Sequence, residues 1–393
     1  MTSYRNSDPR PAIMAGSPPS LQVPRLDWDR APWNRWSFQH IRELLPTVEV
    51  WRGNGHASRL DHDHRDLDDL RFETEAGTTT LATHLDDSYT DGFLVLKDGR
   101  IVVEQYFNGM TERTLHLSQS MAKSVTATVF AILAGRGEMD AAAPVTAYLP
   151  ELDGTGWRGA TLQQVLDMTT GVRFDESYED PYSDIGQVDV ATGWKPVPPG
   201  SDPGFRWPAH MWDLILGLKE VVRPHGEAFE YRSIETDVLA FAMERVTGTR
   251  LAELVSRELW QKIGAEQSAN FTVDPAGYAI ADGGFNATLR DYGRFGQLIL
   301  DGGRDLFPAS FVEDTRTGRH GPDFSPSFPN AGYRNQFWIE DPQSRSLMCR
   351  GVFGQLIHMN FDDRIVVVKL SSWPDFTDVR FSKATLAAVH TIA

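Results

Sequence analysis

The sequence has almost no cysteine. Cys349 is the only cysteine among 393 residues, so an intramolecular disulfide and a cysteine-based metal cluster are both excluded. This low count is consistent with a reducing compartment, because disulfide-rich chains are typical of oxidising ones.

Long apolar runs and an excess of positive charge are also missing. No run of about 18 apolar residues occurs, and the first 10 residues are polar and charged, unlike the apolar segment of a secretory signal. The formal net charge of -16 repels phosphate backbones and anionic lipid. We therefore expect a cytoplasmic protein that binds neither nucleic acid nor membrane, with a homodimer left open as an assembly.

Several catalytic signatures are absent as well. The sequence has no Gly-x-Ser-x-Gly elbow, which argues against an α/β-hydrolase, and no His-Glu-x-x-His, phosphate-binding loop or Gly-x-Gly-x-x-Gly. His62 and His64 stand two residues apart, but the alternating charges around them are typical of a solvated loop. We therefore predict neither a metal nor another cofactor.

The apolar runs that are present predict two β-hairpins, one near each end of the chain. The first surrounds Asp98-Gly99, because Asp-Gly between apolar runs is a strong hairpin signal, and the second surrounds Asp362-Asp363. Helical patterns lie between the two hairpins. The fold class predicted is α+β, with an antiparallel sheet flanked by helices.

This arrangement also predicts how the chain divides into domains. An α/β domain is built from both chain ends, residues 1–155 and 271–393, and residues 156–270 form a mainly helical insertion domain. Six prolines in the first 35 residues predict that the first domain begins with an extended arm, because proline restricts φ and removes a donor.

Ser120 and Lys123 are the strongest candidates for chemistry. They stand three residues apart in a predicted helix, so their side chains share a face and come within hydrogen-bond reach. Between Arg113 and Arg136, Lys123 is the only ionised side chain. Apolar surroundings lower the pKa of an ammonium, so we expect a neutral amine that activates the Ser120 hydroxyl.

Two further motifs complete a candidate site. Tyr231 lies at a turn before a predicted helix, where its phenol could relay a proton to a leaving group, although a half-buried tyrosine would look the same. The run Gly351-Val352-Phe353-Gly354 indicates either close approach of a ligand to the backbone or a simple bulge. In the first case the N–H groups of Ser120 and Val352 would form an oxyanion hole.

The order Ser-x-x-Lys, Tyr-x-Ser and a glycine-rich strand entry resembles the three motifs of the penicillin-recognising serine hydrolases. This superfamily includes class C β-lactamases, D-alanyl-D-alanine carboxypeptidases and related esterases. Within it, residues 164–168, 236–240 and 369–375 resemble the nylon-oligomer hydrolases, which cleave 6-aminohexanoate dimers. The resemblance implies a β-lactamase/transpeptidase-like fold without a cofactor.

The same resemblance assigns roles to individual residues. Ser120 is the nucleophile, Lys123 the base and Tyr231 the proton relay, and the N–H groups of Ser120 and Val352 bind the oxyanion. The resemblance also places Tyr178 and Asp189 on the substrate. Asp282 departs from the family, which has Asn before the Gly-Gly pair, so a second carboxylate could face the pocket, and Phe353 of the glycine-rich run is a further substrate candidate. Trp194, like Tyr178, could line a cleft for an aliphatic chain or belong to the core. Trp207 and Trp212 could line the same cleft or belong to the core.

The resemblance predicts a serine hydrolase that cleaves linear amides, carboxyl esters, or both, through an acyl-enzyme on Ser120. Two alternatives stay open, a carboxylesterase with little amidase activity and a penicillin-binding module that is acylated without turnover. We expect poor β-lactamase activity, because the third motif of this chain is either Cys349-Arg350-Gly351 or Val352-Phe353-Gly354. Neither begins with the Lys or His of the penicillin-binding relatives, although Arg350 could substitute for it.

Overall fold

The computed structural model describes residues 23–318, 332–340 and 346–392. Its strands are short and antiparallel. In chain order the strands are β1 Thr47–Val50, β2 Arg71–Thr74, β3 Gly77–Thr80, β4 Thr90–Lys97, β5 Arg100–Tyr106, β6 His116–Leu117, β7 Ala269–Thr272, β8 Phe285–Ala287, β9 Gly332–Arg334, β10 Phe337–Ile339, β11 Leu347–Gly351, β12 Gln355–Asn360 and β13 Ile365–Ser371.

The helices occupy most of the middle of the chain. In chain order they are α1 Asn34–Ser37, α2 Ile41–Leu44, α3 Leu81–Asp87, α4 Met121–Gly135, α5 Val145–Tyr148, α6 Leu162–Leu166, α7 Asp184–Ala191, α8 Met211–Gly217, α9 Ile234–Thr247, α10 Leu251–Leu254, α11 Leu289–Leu300, α12 Ala309–Thr317 and α13 Val379–Ile392. A π-helical turn, Val255–Trp260, continues α10, and a 3₁₀ turn, Val352–Gly354, joins β11 to β12.

The main sheet has seven strands in the order β5-β4-β13-β12-β11-β10-β9. Both predicted hairpins are present, β4 with β5 and β12 with β13. Asp98 and Gly99 both have positive φ, at 49° and 73°, as a tight two-residue hairpin turn requires. Because β13 pairs with β4, the sheet joins the two ends of the chain, as the sequence predicts.

Helices cover both faces of this sheet. Alternate residues of β4 point to opposite faces, so Leu94 belongs to the core that includes α4 and α11, whereas Phe93 and Val95 pack in a separate cluster with α13. A Cβ on Gly293 of α11 would lie 2.5 Å from the Leu94 side chain. Glycine at this position therefore allows α11 to lie close against the sheet.

A smaller sheet, β1-β7-β8-β6, leads directly into α4. Helix α4 is buried along almost its whole length and packs against α9 and β11. Ser120, at the start of α4, therefore lies where the two sheets and the helical segment meet. The division into residues 1–155 with 271–393, and 156–270, stays a prediction.

The prediction of an extended arm is wrong where the structure describes it. Residues 1–22 lie outside the described residues, but the following segment forms turns and helix α1. In this segment tertiary contacts, rather than the preference of proline for an extended chain, determine the backbone conformation. The Asn34 amide donates to the carbonyl of Trp373 at 2.7 Å, and Arg35 forms a buried ion pair with Asp91 at 2.8 Å.

Candidate active site

Ser120 stands at the N-terminus of α4, and Lys123 lies one turn into the helix. The Lys123 ammonium is almost fully buried and donates to Ser120 Oγ at 3.1 Å and to the carbonyl of Asp282 at 2.6 Å. Gln119, immediately before the serine, has a φ of +49°. A non-glycine residue in this region is strained, and such strain is concentrated at functional sites.

The charge state of Lys123 differs from the sequence-based expectation. Burial lowers its pKa, but the nearby Tyr231 and the carboxyl groups of Asp282, Glu176 and Asp237 raise it, and on balance the pKa is raised. The expected fall in pKa is therefore wrong. Helix α4 carries no other charge around Lys123, but three other segments bring carboxyl groups to it.

Tyr231 approaches the Ser120–Lys123 pair from the turn before α9. The Lys123 ammonium lies 5.4 Å from the centroid of the Tyr231 ring, and this ring stacks on Trp338 at a centroid distance of 5.6 Å. Burial raises the pKa of Tyr231, and although the charge of Lys123 and hydrogen bonds with Ser120 and Lys123 lower it, the net shift is upward. The hydroxyl is therefore a neutral phenol that can donate a proton.

Glu176 is a site residue that the sequence analysis missed. Its carboxylate accepts from the Ser233 N–H at 3.0 Å, from the Ser233 hydroxyl at 2.6 Å and from the Tyr178 hydroxyl at 2.9 Å. It thereby ties the loop before α7 to the Tyr231 turn. The sequence signal that would have pointed to it is an acidic residue two positions before Tyr178, in the loop that already carried a candidate.

Val352 lies in the 3₁₀ turn between β11 and β12, opposite the start of α4. A Cβ on Gly351 would lie 2.6 Å from the carbonyl of Ser118, so glycine allows the two backbones to meet. Neither the Ser120 N–H nor the Val352 N–H donates to another group in the described part of the chain. Both N–H groups are therefore candidates for binding a substrate oxygen.

Two cavities meet at Ser120. One has a volume of about 60 Å³ and the other about 520 Å³, and Ser120, Tyr178, Val352 and Phe376 border both. Tyr231 lines the larger cavity. The remaining substrate candidates line the smaller one, namely Asp189, Trp194, Asp282 and Phe353. Trp207 and Trp212 are not among the lining residues; Trp207 packs with Tyr182 and Phe205, and Trp212 packs with Phe241.

The smaller cavity is acidic, but two of its three carboxyl groups, Asp29 and Asp189, are already paired with Lys195. Lys195 lies 3.0 Å from Asp189 and 2.9 Å from Asp29, so a single ammonium is shared by two carboxylates. Burial raises the pKa of Asp189, with the charge of Lys195 acting in the opposite direction. The shared ammonium limits how strongly Asp189 would attract a second cation.

Asp282 brings a second acidic centre to the same cavity. Its carboxyl group lies near that of Asp237, and burial raises the pKa of Asp282 although the charge of Lys123 lowers it. Burial and the neighbouring Asp282 raise the pKa of Asp237 well above its usual value. Asp237 therefore readily holds a proton, because it is buried beside a second carboxyl group.

Comparison with known proteins identifies the family. Residues 80–391 match the family model described as Beta-lactamase. The chain belongs to the β-lactamase family. It is 35% identical over 382 residues, covering 94% of this chain and 93% of the relative, to a 6-aminohexanoate-dimer hydrolase from Paenarthrobacter ureafaciens.

Solved structures agree with this assignment. A protein from Bacillus anthracis, described provisionally as a 6-aminohexanoate-dimer hydrolase, is 29% identical with a TM-score of 0.84 and covers 94% of this chain and 96% of its own. A family VIII carboxylesterase shares the fold, with 16% identity, a TM-score of 0.59 and coverage of 79% and 95%. The predicted resemblance and fold are confirmed, and the protein is a serine hydrolase of the β-lactamase fold. In the described residues no helix is long and apolar enough to cross a membrane.

Proposed function

We propose that this β-lactamase family member cleaves linear amides of the 6-aminohexanoate-dimer type, and carboxyl esters, through an acyl-enzyme on Ser120. The observation that carries this proposal is the 3.1 Å contact from Lys123 Nζ to Ser120 Oγ at the meeting point of two cavities. The name of the Paenarthrobacter relative supports the substrate class, since the similarity runs over 94% of this chain.

In the first step, Ser120 Oγ attacks the substrate carbonyl while Lys123 accepts the hydroxyl proton. This requires a neutral amine, whereas nearby carboxyl groups raise the pKa of Lys123 in the free enzyme. A substrate ammonium entering the acidic cavity would offset the charge of Asp282, which borders that cavity and lies near Lys123. Substrate binding would thereby lower the pKa of Lys123 toward that of an effective base.

The attack turns the carbonyl oxygen into an oxyanion. The N–H groups of Ser120 and Val352 would stabilise this charge, and one such donor is worth about 3 to 4 kcal/mol of the barrier. These groups belong to a helix N-terminus and a rigid turn, so they are in place before the reaction begins.

Collapse of the tetrahedral intermediate expels the leaving group. An amine leaves only when its nitrogen is protonated, and the Tyr231 phenol is the proposed donor because it is neutral and interacts with Ser120 and Lys123. Water then attacks the acyl-enzyme, and the same groups act in the opposite direction to release Ser120.

The two cavities would receive the two halves of the substrate. Tyr178, Trp194 and Phe353 give the smaller cavity aromatic walls suited to a methylene chain, and Asp189 and Asp282 suit a terminal ammonium. The larger cavity has space for the other half.

One observation favours the second candidate, a carboxylesterase with little amidase activity. Because Lys195 already pairs with Asp189, the smaller cavity has less net negative charge than its acidic residues suggest. A neutral acyl chain would then fit it better than an ammonium would.

A kinetic comparison tests both proposals. Initial rates with 6-aminohexanoate dimer, p-nitrophenyl acyl esters and nitrocefin are measured for the wild-type protein and for Ser120→Ala, which removes one oxygen and leaves packing unchanged. We expect amide and ester turnover, weak or no nitrocefin turnover, and loss of every activity in Ser120→Ala. Ester turnover alone would support the carboxylesterase.

Mass spectrometry with a slowly hydrolysed ester identifies the acylated residue. An adduct on Ser120 that later disappears supports turnover, and an adduct that persists indefinitely would instead support a penicillin-binding module. An adduct on another residue contradicts the assignment of Ser120.

A further inference from the structure

Glu340, His358 and His390 form a cluster outside the candidate active site. His358 Nε2 lies 2.8 Å from Glu340 Oε2, and His390 Nε2 lies 2.6 Å from Glu340 Oε1. The donor atoms of the three side chains all lie within 4.8 Å of one another. Three groups that are far apart in sequence thus bring their nitrogen and oxygen atoms into one cluster.

The three residues come from three different elements. Glu340 directly follows β10, His358 lies in the middle of β12, and His390 lies in the last turns of α13. His358 is buried, with a side-chain exposure of 1%, and Glu340 is partly buried at 9%, whereas His390 is 58% exposed. The cluster therefore has a rigid base in the sheet and an open side that an ion and water can reach.

We propose that Glu340, His358 and His390 form a binding site for a divalent transition-metal ion of the zinc type. Two imidazole nitrogens and one carboxylate are a common zinc ligand set, and zinc bonds to each at about 2.0 to 2.2 Å. The donor atoms here lie within 4.8 Å of one another, so side-chain shifts of about 1 Å would bring all three onto one ion. Water on the exposed side of His390 completes the coordination.

Charge and ligand chemistry favour a soft or borderline cation over calcium or magnesium. Those ions take six or more oxygen ligands, whereas this cluster offers two nitrogens and one carboxylate. With both imidazoles neutral, the cluster has a charge of -1, which a divalent ion offsets. Arg350 interacts electrostatically with Glu340, but both carboxylate oxygens contact the histidines.

The position of the cluster indicates a structural role. Trp338, Leu356 and Leu386 line the larger cavity. Glu340 lies two residues after Trp338, and His358 lies two residues after Leu356. His390 lies four residues after Leu386 and therefore on the same face of α13. An ion bound here would join α13 to the sheet just beyond the wall of the larger cavity.

Zinc titration of the intact protein tests the proposal. The protein is treated with a chelator, dialysed and titrated with Zn²⁺ in a calorimeter, and its metal content is measured after gel filtration. We expect one equivalent bound with micromolar or tighter affinity, together with a rise in melting temperature. His390→Ala, at an exposed position that leaves the core intact, should weaken zinc binding at least about 100-fold and abolish the rise.

His64→Ala is the matched control. His62 and His64 are an exposed pair, with ring nitrogens 3.0 Å apart, so this variant removes one surface histidine without touching the cluster. It should bind zinc as the wild type does. No zinc binding by the wild type, or equal binding by His390→Ala and the wild type, would overturn the proposal and leave the cluster as a hydrogen-bonded ion pair. Loss of binding in His64→Ala alone would also overturn it.

Discussion

Tyr231→Phe tests whether the hydroxyl of this residue donates a proton while its ring stays in place. The substitution deletes one oxygen and keeps the ring, which stacks on Trp338 at 5.6 Å and meets Tyr333 edge-on at 6.0 Å. Lys123 keeps its contacts with Ser120 and with the Asp282 carbonyl. The folded site therefore loses a proton donor and the interactions of that hydroxyl with Ser120 and Lys123.

The size of the effect depends on the leaving group. Expulsion of an amine needs a proton, and general-acid help is worth about 100- to 10,000-fold, or about 3 to 5 kcal/mol. A p-nitrophenolate leaves with little assistance. We therefore expect kcat for 6-aminohexanoate dimer to fall by about 100-fold or more in Tyr231→Phe, while kcat for a p-nitrophenyl ester changes by less than about tenfold.

Steady-state kinetics on both substrates provides the assay, with single-turnover measurements to separate acylation from deacylation. Tyr333→Phe is the matched control, because its hydroxyl donates to Gln336 Oε1 at 3.3 Å and its ring contacts Tyr231. The control should retain both activities. Equal losses of kcat for the amide and the ester would show that Tyr231 helps Lys123 to deprotonate Ser120. Unchanged kcat for both substrates would show that Tyr231 has no role in the reaction.

Three further predictions follow from charges in the structure. Lys123→Arg should lose activity as completely as Lys123→Ala, since a guanidinium is not a base near neutral pH; recovery of more than about a tenth of wild-type kcat would contradict the base role. Asp282→Asn removes a charge that raises the pKa of Lys123, so the acidic limb of the kcat/KM profile for a neutral ester should move to lower pH; an unmoved limb would refute the coupling. Burial lowers the pKa of His84 to about 3, so the unfolded chain takes up a proton below about pH 6.5 and stability falls as pH falls. Denaturant unfolding should show a loss between pH 7 and pH 5 about 2 kcal/mol smaller in His84→Gln than in the wild type, and equal losses would exclude His84 as the cause.

Local sequence patterns predicted the features that depend on neighbouring residues. The three-residue spacing of Ser120 and Lys123 placed both on one face of α4, and the Asp98-Gly99 turn defined the hairpin that begins the main sheet. Both follow from the geometry of one element. The sequence predicted that both chain ends contribute to one sheet. It did not predict that β13 pairs with β4, because strand order depends on contacts between distant segments.

Features that depend on distant segments could not be predicted in this way. Glu176 contacts Ser233 across 57 residues, and no periodic pattern links the two. The described part of the N-terminal arm folds into turns because Trp28 and Arg35 are buried in the core, which overrides the preference of its prolines. In both cases tertiary packing, rather than local propensity, decides the outcome.

The charge of Lys123 shows most clearly where local reasoning ends. Its helix is apolar, so the motif alone predicts a neutral amine, but carboxyl groups at positions 176, 237 and 282 raise the pKa of this lysine. None of these groups belongs to the Ser-x-x-Lys motif. Substitutions at those positions can therefore change the working pH and the preferred substrate charge while Ser120, Lys123 and Tyr231 stay the same. A fixed set of catalytic residues is for this reason compatible with amide cleavage in one family member and ester cleavage in another.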